Sequence, residues 1–245
     1  MIEQPYAVVS CHVEAPLDDR VWRAFAAFQA RLPGGFPIAA LMRPPDRDAG
    51  EREDRWLDRA RAAAAHGPLG HHTHFVGPGH ARPPVAGPEH AERVRAEAGW
   101  LREQGLRPRF FCGGGWYMDE HVAAVLGELG YVDCTATSFR PSYLAPGAPR
   151  LGLDEPAWLT LDGVRLLELP TTHSLGLAAR SLARRAPAAL HVYFHDTDLL
   201  DRRRRLALLT TLTLLARRRL PLDLDQLADE AGASAPERPF ASARG

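Results

Sequence analysis

The stretch LHVYFHD, residues 190–196, runs from apolar residues typical of a β-strand into a histidine and an aspartate, and a helical pattern follows over 202–219. The same order of a short β-rich segment and an amphipathic helix begins at YAVVSCHV, residues 6–13, and recurs along most of the chain. A repeated strand–helix order is typical of a parallel sheet covered by helices. The sequence therefore predicts an α/β fold.

The individual elements follow from the period of the apolar residues. The predicted strands cover residues 6–13, 36–42, 68–75, 109–114, 131–137, 165–173 and 190–196. The predicted helices cover residues 18–32, 51–66, 89–104, 118–129, 174–185 and 202–219. Gly130 suits the C-cap of helix 118–129. Residues 138–163 show no regular pattern, and we predict an irregular segment there.

Polar residues follow nearly every predicted strand at its carboxyl end. They are His12, Glu14, His72, His74, Cys112, Asp133, His173, His195 and Asp196. In a closed (β/α) barrel these ends converge on one mouth, whereas an open doubly wound sheet spreads them along an edge. We therefore predict a barrel of about seven parallel strands, formed by residues 1–245 as a single domain.

Composition excludes several classes of partner. The 245 residues carry no formal net charge, so no overall field attracts nucleic acid or anionic lipid. The longest apolar run, residues 206–216, is too short to span a bilayer. The first residues, MIEQPYAVVSCHVE, lack the pattern of a secretion signal. We therefore predict a cytoplasmic protein with no nucleic-acid or membrane partner.

Histidines are concentrated in GHHTHFVGPGH, residues 70–80, which holds four of them. Neutral imidazole and carboxylate are ligands of zinc and similar divalent ions, and three such ligands leave a position open for water or substrate. A second histidine can protonate a departing amine or alcohol. The residue types at the predicted strand ends therefore suit a metal-dependent hydrolase.

Five segments in order, VVSCHVE, LGHHTHF, RFFCGGGWYMDE, LELPTTHS and HVYFHDTDLL, resemble the motifs of the polysaccharide deacetylases (NodB homology, carbohydrate esterase family 4). The resemblance covers roughly residues 6–200. It implies a distorted (β/α) barrel, often with seven strands. It also implies hydrolysis of N-acetyl or O-acetyl groups on sugars with the help of a divalent metal.

The resemblance also suggests roles for single residues. Glu14 and His72 would be metal ligands, and His74 would supply the second imidazole, with His80 or His71 as alternatives. The family has an acidic base where this chain has His12, which can still accept a proton. It has an arginine where this chain has Cys112, which we interpret as a small buried residue.

The later motifs supply the acid and the walls of the pocket. His195 would be the general acid, and Asp196 would orient it or tune its pKa. Gly114, Trp116 and Tyr117 would contact substrate, through close backbone approach, an amide oxyanion donor or ring stacking, with core packing as the alternative for the aromatic rings. His173 would line the pocket or cap the helix that follows it.

Together these assignments predict a metal-dependent deacetylase of an N-acetylated sugar or related amide, with a small molecule or glycan as substrate. Zinc is the expected ion, and cobalt and nickel are alternatives. Two other functions stay open: an inactive deacetylase-like barrel that binds a glycan or partner, and a metal-dependent amidohydrolase with a non-sugar substrate. We interpret the arginine runs 202–205 and 217–219 as solvated helix ends.

Overall fold

The computed structural model describes residues 4–182 and 187–244. The chain divides into two compact units. Unit 1 comprises Met1–Leu69 and Thr172–Glu230, and unit 2 comprises Gly70–Thr171 and Ala231–Gly245. The single domain over residues 1–245 stays a prediction.

Unit 1 is built around a parallel sheet. Its central strand β1 (Tyr6–Val13) pairs with β2 (Ile38–Met42) on one side and with β9 (Ala189–His195) on the other. A two-residue strand, β8 (His173–Ser174), continues the sheet beyond β9, and β10 (Leu220–Pro221) pairs with the start of β1. From Ala7 onward β1 is buried throughout, which explains its continuous apolar sequence.

Helices cover the sheet of unit 1. They are α1 (Asp19–Gln29), α2 (Glu53–Ala64), α5 (Leu175–Ser181) and α6 (Arg202–Ala216). Aspartates begin two of them: Asp18 accepts hydrogen bonds from the Arg20 and Val21 amides, and Asp201 caps α6 in the same way. A further helix, α7 (Leu224–Ser234), contributes residues to both units.

Unit 2 contains a second run of strands. Their order is β3 (Leu69–Thr73), β4 (Phe110–Gly113), β5 (Val132–Asp133), β7 (Val164–Glu168), β6 (Ala157–Leu161) and β11 (Glu237–Pro239). All neighbouring pairs are parallel except β6 and β7. Helices α3 (Pro88–Glu103) and α4 (Glu120–Leu129) belong to the same unit. Their apolar faces join an aromatic core that includes Phe75, Phe111 and Tyr117.

The α/β class and most predicted elements are confirmed, including the C-cap Gly130 with its left-handed φ of 74°. Closure into a barrel is not shown, because the described strands of neither unit pair into a ring. The described residues hold eleven strands, more than the seven predicted. The predicted helix 174–185 ends at Ser181 in the structure, and its residues 183–185 lie outside the described residues.

The irregular segment predicted over 138–163 is wrong in its last part, which forms β6. Strands β6 and β7 make an antiparallel hairpin whose two-residue turn is Asp162–Gly163. Both turn residues have positive φ, 49° and 84°. An Asp-Gly pair favours this turn, because glycine and aspartate tolerate positive φ and the resulting twist matches the strands. Among the described residues, no helix is long and apolar enough to cross a membrane.

Candidate active site

The carboxyl ends of β1 and β9 bring three predicted site residues together in unit 1. His12 and His195 are register partners on these neighbouring parallel strands, and their ring centroids are 5.4 Å apart at an angle of 86°. Ligand atoms of His12, Glu14 and His195 all lie within 4.8 Å of one another. This cluster of two imidazoles and a carboxylate can move a proton or hold a divalent cation.

His195 is the accessible member of the cluster. Its side chain is 36% exposed, whereas His12 is 3% exposed. Glu14 Oε1 lies 3.6 Å from Nε2 of His195, and Asp198 Oδ2 lies 3.9 Å from Nδ1 of the same ring. Either contact is an ion pair only when the imidazole is protonated. The ring therefore lies between two carboxylates, with part of its surface open to a ligand.

Asp196 has a different set of contacts from those predicted. Its buried carboxylate accepts hydrogen bonds from the Ala15 amide at 2.9 Å and the Thr197 amide at 2.8 Å. Burial raises the pKa of Asp196 to about 6, although these hydrogen bonds oppose the shift. Among the described contacts, none joins this carboxylate to the His195 ring. Asp196 therefore holds the chain after β1, which carries Glu14.

Arg43 also positions Glu14, and the sequence analysis missed it. Its Nε donates to the Glu14 carbonyl at 2.9 Å. Its Nη1 and Nη2 donate to the two oxygens of Glu51, at 2.8 and 2.7 Å. The side chain is 5% exposed, so this two-point ion pair is largely shielded from water. The only sequence signal is an arginine directly after the apolar strand β2.

In unit 2, His72 and His74 lie on the same face of β3, with ring centroids 5.1 Å apart. Their Nδ1 atoms lie 2.9 Å from the Cys112 carbonyl oxygen and 3.0 Å from the Pro78 carbonyl oxygen. A carbonyl oxygen can only accept, so Nδ1 carries a hydrogen in each ring, and Nε2 is the atom that can bind a cation when the ring is neutral. Metal-binding histidines show this arrangement, in which a backbone carbonyl fixes the ring and its tautomer.

His71, one of the alternatives to His74, points to the opposite face of β3. Its Nε2 donates to Glu97 Oε2 at 2.8 Å, and its Nδ1 lies 3.2 Å from the Tyr131 hydroxyl. Burial would raise the pKa of Glu97, but the contacts with His71, Arg93 and Thr73 outweigh it and keep that pKa below its usual value. His71 therefore stabilises the carboxylate of Glu97, a residue of α3.

His80, the other alternative, is exposed and lies at the end of a tight turn. Its backbone N–H donates to the Gly77 carbonyl at 3.0 Å. Within the part of the chain that the structure describes, His80 joins no group of three potential metal ligands. Of the three candidates, only His74 shares a face with His72.

The glycines after β4 are packed against the protein itself. A Cβ on Gly114 would lie 2.6 Å from the Thr73 carbonyl oxygen and 2.8 Å from the Ala81 carbonyl oxygen. Gly115 has φ +61°, and Arg82 donates a hydrogen bond to its carbonyl at 2.8 Å. The close backbone approach predicted at Gly114 thus exists, but its partners are the last residue of β3 and the segment that follows it.

The aromatic residues that follow are buried. Trp116 is 5% exposed, with its ring 5.9 Å from that of Phe139. Tyr117 has no exposed surface, and its hydroxyl donates a hydrogen bond to Asp119. Burial raises the pKa of Tyr117, and the neighbouring Asp119 carboxylate raises it further. A fully buried ring offers no face to a sugar. The structure therefore favours core packing for Tyr117, one of the two interpretations given above.

Two other predicted residues, Cys112 and His173, are placed as follows. Cys112 is fully buried, in agreement with its interpretation as a small core residue. Nδ1 of His173 lies 2.8 Å from the Thr172 hydroxyl, and burial lowers the pKa of His173. Ser174 caps α5 in its place, accepting a hydrogen bond from the Leu177 amide. A substrate contact by His173 stays a prediction.

Asp133 forms a buried carboxyl pair with Glu168, its register partner on β7. Neither residue has exposed surface. Asp133 Oδ1 accepts hydrogen bonds from the amide and hydroxyl of Thr135, and Glu168 Oε1 accepts one from the Ala136 amide. Burial raises the pKa of both groups, and the Asp133 charge raises that of Glu168 further. The pair therefore keeps a shared proton to higher pH than exposed carboxyl groups do.

The donor groups described above fit a divalent ion such as zinc. In unit 2, His72 and His74 offer imidazoles whose Nε2 atoms can bind a cation when the rings are neutral. In unit 1, Glu14 offers a carboxylate. Imidazole nitrogen and carboxylate oxygen are both common donors in catalytic zinc sites. His12 and His195 could also act as ligands beside Glu14, since all three donors lie within reach of one another.

No protein-family model matches the chain, and no curated protein matches it significantly. Among solved structures, the 4-α-glucanotransferase from Thermococcus litoralis is similar in fold, with a TM-score of 0.52 and 12% identity. The match covers 92% of this chain, which spans only 38% of the glucanotransferase.

Two further structures match with lower scores. A family 4 carbohydrate esterase from Streptomyces lividans has a TM-score of 0.48 and 10% identity, with 98% of this chain and 96% of the esterase covered. A protein from Bordetella bronchiseptica, described as a polysaccharide deacetylase involved in O-antigen biosynthesis, has a TM-score of 0.49 and 12% identity, with 94% and 91% covered.

Proposed function

We propose that the protein is a metal-dependent hydrolase that removes an acetyl group from an N-acetylated sugar or a related amide. The observation that carries this proposal is the shared hydrogen-bond pattern of His72 and His74, each of which donates Nδ1–H to a backbone carbonyl. Two neutral imidazoles with Nε2 lone pairs are suited to a cation. The order of the five deacetylase-like motifs supplies the reaction class. A cytoplasmic glycan precursor as substrate is part of the same proposal.

In this proposal Glu14, His72 and His74 hold the ion, with zinc expected and cobalt or nickel as alternatives. When bound, such an ion would polarise the substrate carbonyl and lower the pKa of water toward about 7. Arg43 and Asp196 hold the main chain around Glu14, so the carboxylate is fixed before substrate arrives. Preorganised donors lower the cost of assembling a site.

His12 and His195 divide the proton transfers. His12 accepts a proton from the attacking water, and its burial protects it from exchange with solvent. His195, which is 36% exposed, protonates the departing amine, because the leaving group must approach from the open side. Both rings lie beside the carboxylate of Glu14.

The experiment compares zinc content and acetate release for the full chain and two variants. His195→Gln should lower the release of acetate from N-acetylglucosamine by about 100-fold or more, as expected for loss of a general acid, while zinc content stays near one equivalent. His121→Gln changes an exposed histidine of α4 and should leave both quantities unchanged.

Three outcomes would change the proposal. Zinc content below about a tenth of an equivalent in the unchanged protein would favour a binding protein over an enzyme. Full activity in His195→Gln would remove His195 from the reaction. Loss of zinc in His12→Asn would make His12 a ligand, and the base would then have to be another residue.

A further inference from the structure

A cavity of about 540 Å³ lies beside His195 within unit 1. Its volume falls in the range of small-molecule sites, roughly 300–1,000 Å³. The polar side chains that line it are Ser174, Tyr193, His195, Asp198, Arg203 and Arg204. The cavity therefore lies between the proposed acid on one side and the α6 residues Arg203 and Arg204 on another.

The charges of the lining residues do not balance. Arg204 Nη1 donates to Asp198 Oδ1 at 2.6 Å, so these two charges neutralise each other. The Arg203 backbone N–H donates to Asp201 at 2.7 Å. Its guanidinium forms no hydrogen bond or ion pair with any residue in 4–182 or 187–244. Of the two arginines that line the cavity, Arg203 therefore has no ionic partner among the described residues, and it is exposed to solvent.

The position of Arg203 in the helix gives no structural reason for this charge. It lies in the first turn of α6, where the helix dipole disfavours a cation. An arginine at the other end of the helix, such as Arg217, benefits from the dipole instead. Residues 202–205 are all exposed, as expected for a solvated helix end, and Arg203 is in addition one of the residues that line the cavity.

We propose that this cavity binds an acylated sugar that carries a phosphate group, with the phosphate at Arg203. The inference rests on the proposed function, since it names the substrate class of the same site. Guanidinium matches phosphate because its planar N–H groups can donate two parallel hydrogen bonds to the phosphate oxygens. An uncharged sugar would leave the Arg203 guanidinium without an anionic partner.

The test measures the binding of N-acetylglucosamine 1-phosphate and of N-acetylglucosamine to the zinc-loaded full chain by calorimetry. Phosphate can also bind zinc, so the comparison of variants decides. Arg203→Gln should weaken the binding of the phosphorylated sugar about tenfold and leave that of the plain sugar unchanged. Arg217→Gln, at the exposed C-cap of α6, should change neither.

The same variants also separate this inference from the proposed function. If Arg203→Gln weakens only the binding of the phosphorylated sugar, but neither the unchanged protein nor a variant releases acetate, the deacetylase proposal fails and the phosphate site stands. If acetate is released from both sugars equally and Arg203→Gln has no selective effect, the phosphate site is overturned and the deacetylase proposal stands. If the deacetylase proposal and the phosphate site are both correct, Arg203→Gln raises KM for the phosphorylated sugar with little change in kcat.

Discussion

His71 and His72 are adjacent in sequence but should respond in opposite ways to the same substitution. We consider replacement of each by asparagine, whose side-chain amide reaches roughly the position of Nδ1 and removes Nε2. In His71→Asn the hydrogen bond from Nε2 to Glu97 at 2.8 Å is lost. In His72→Asn the bond to the Cys112 carbonyl can persist, and the proposed metal-binding atom is lost.

The magnitude for His71→Asn follows from the surroundings of Glu97. The Glu97 side chain is 16% exposed, so its carboxylate depends on protein donors. Hydrogen bonds to charged groups contribute about 1.5–3 kcal/mol, and the void left by two ring atoms adds less than about 1 kcal/mol. Thr73 and Arg93 remain as donors at 2.7 and 2.9 Å. We expect the free energy of unfolding to fall by about 2–3 kcal/mol.

The assay has two readouts. Urea unfolding in the presence of EDTA gives the free energy of unfolding without any contribution from bound metal. Zinc content after dialysis gives the occupancy of the proposed site. His71→Asn should lose stability and keep zinc, whereas His72→Asn should lose zinc and change the free energy of unfolding by about 1 kcal/mol or less. If His71→Asn loses zinc, or unfolds as the unchanged protein does, the assignment of the two faces of β3 is refuted.

Two other substitutions test the surroundings of the site. Gly114→Ala should lower the free energy of unfolding by about 1–3 kcal/mol, because the new Cβ meets backbone oxygens at 2.6 and 2.8 Å; the control Gly99→Ala, which meets nothing within 4 Å inside α3, should be neutral or stabilising. An effect of Gly114→Ala on activity alone would contradict the packing role. The pKa values of Asp133 and Glu168 are raised in the folded protein, so it keeps a proton that the unfolded chain releases above pH about 4. The free energy of unfolding should therefore fall as pH rises above that value, by up to about 1.4 kcal/mol per pH unit. The urea concentration at the unfolding midpoint should fall less between pH about 5 and pH about 8 in Glu168→Gln than in the unchanged protein. An equal pH dependence of the midpoint in the two proteins would exclude the shared proton.

The strands of the parallel sheet in unit 1 were predictable because their burial leaves a strong pattern. β1 and β9 lie side by side in the sheet, so the sequence shows short apolar runs bounded by polar residues. Their carboxyl ends carry His12 and His195, which the register then places side by side. Local sequence was sufficient here, because each strand is recognised without knowledge of its neighbours.

The hairpin of β6 and β7 and the elements after residue 219 were not predicted. The strand β6 alternates buried and partly exposed residues over only five positions, and its identity depends on pairing with β7 and β11. The Asp162–Gly163 turn was a usable local signal. The two-residue strand β10 is defined only by its pairing with β1, about 210 residues away in sequence, and no local pattern shows such a contact.

The roles within GHHTH could be predicted only in part. Strand geometry places alternate residues on opposite faces, so His72 and His74 must share one face and His71 the other. The sequence does not show which face meets α3, because Glu97 lies 24 residues or more from this strand. The side chain that forms a hydrogen bond with Glu97 and the side chains proposed to bind metal are therefore indistinguishable in the sequence until the position of α3 is known.

The separation between Glu14 and His195 depends on the main chain. The Asp196 carboxylate accepts hydrogen bonds from the Ala15 and Thr197 amides, with a further one from the Glu14 amide, so it ties the segment after β1 to the segment after β9. Main-chain donors also explain how a buried aspartate is tolerated at this position, since they replace much of its lost hydration. Because this link does not involve the His195 ring, replacing that ring leaves Glu14 in place. A loss of acetate release in His195→Gln with zinc retained would therefore report the missing proton donor and not a displaced ligand.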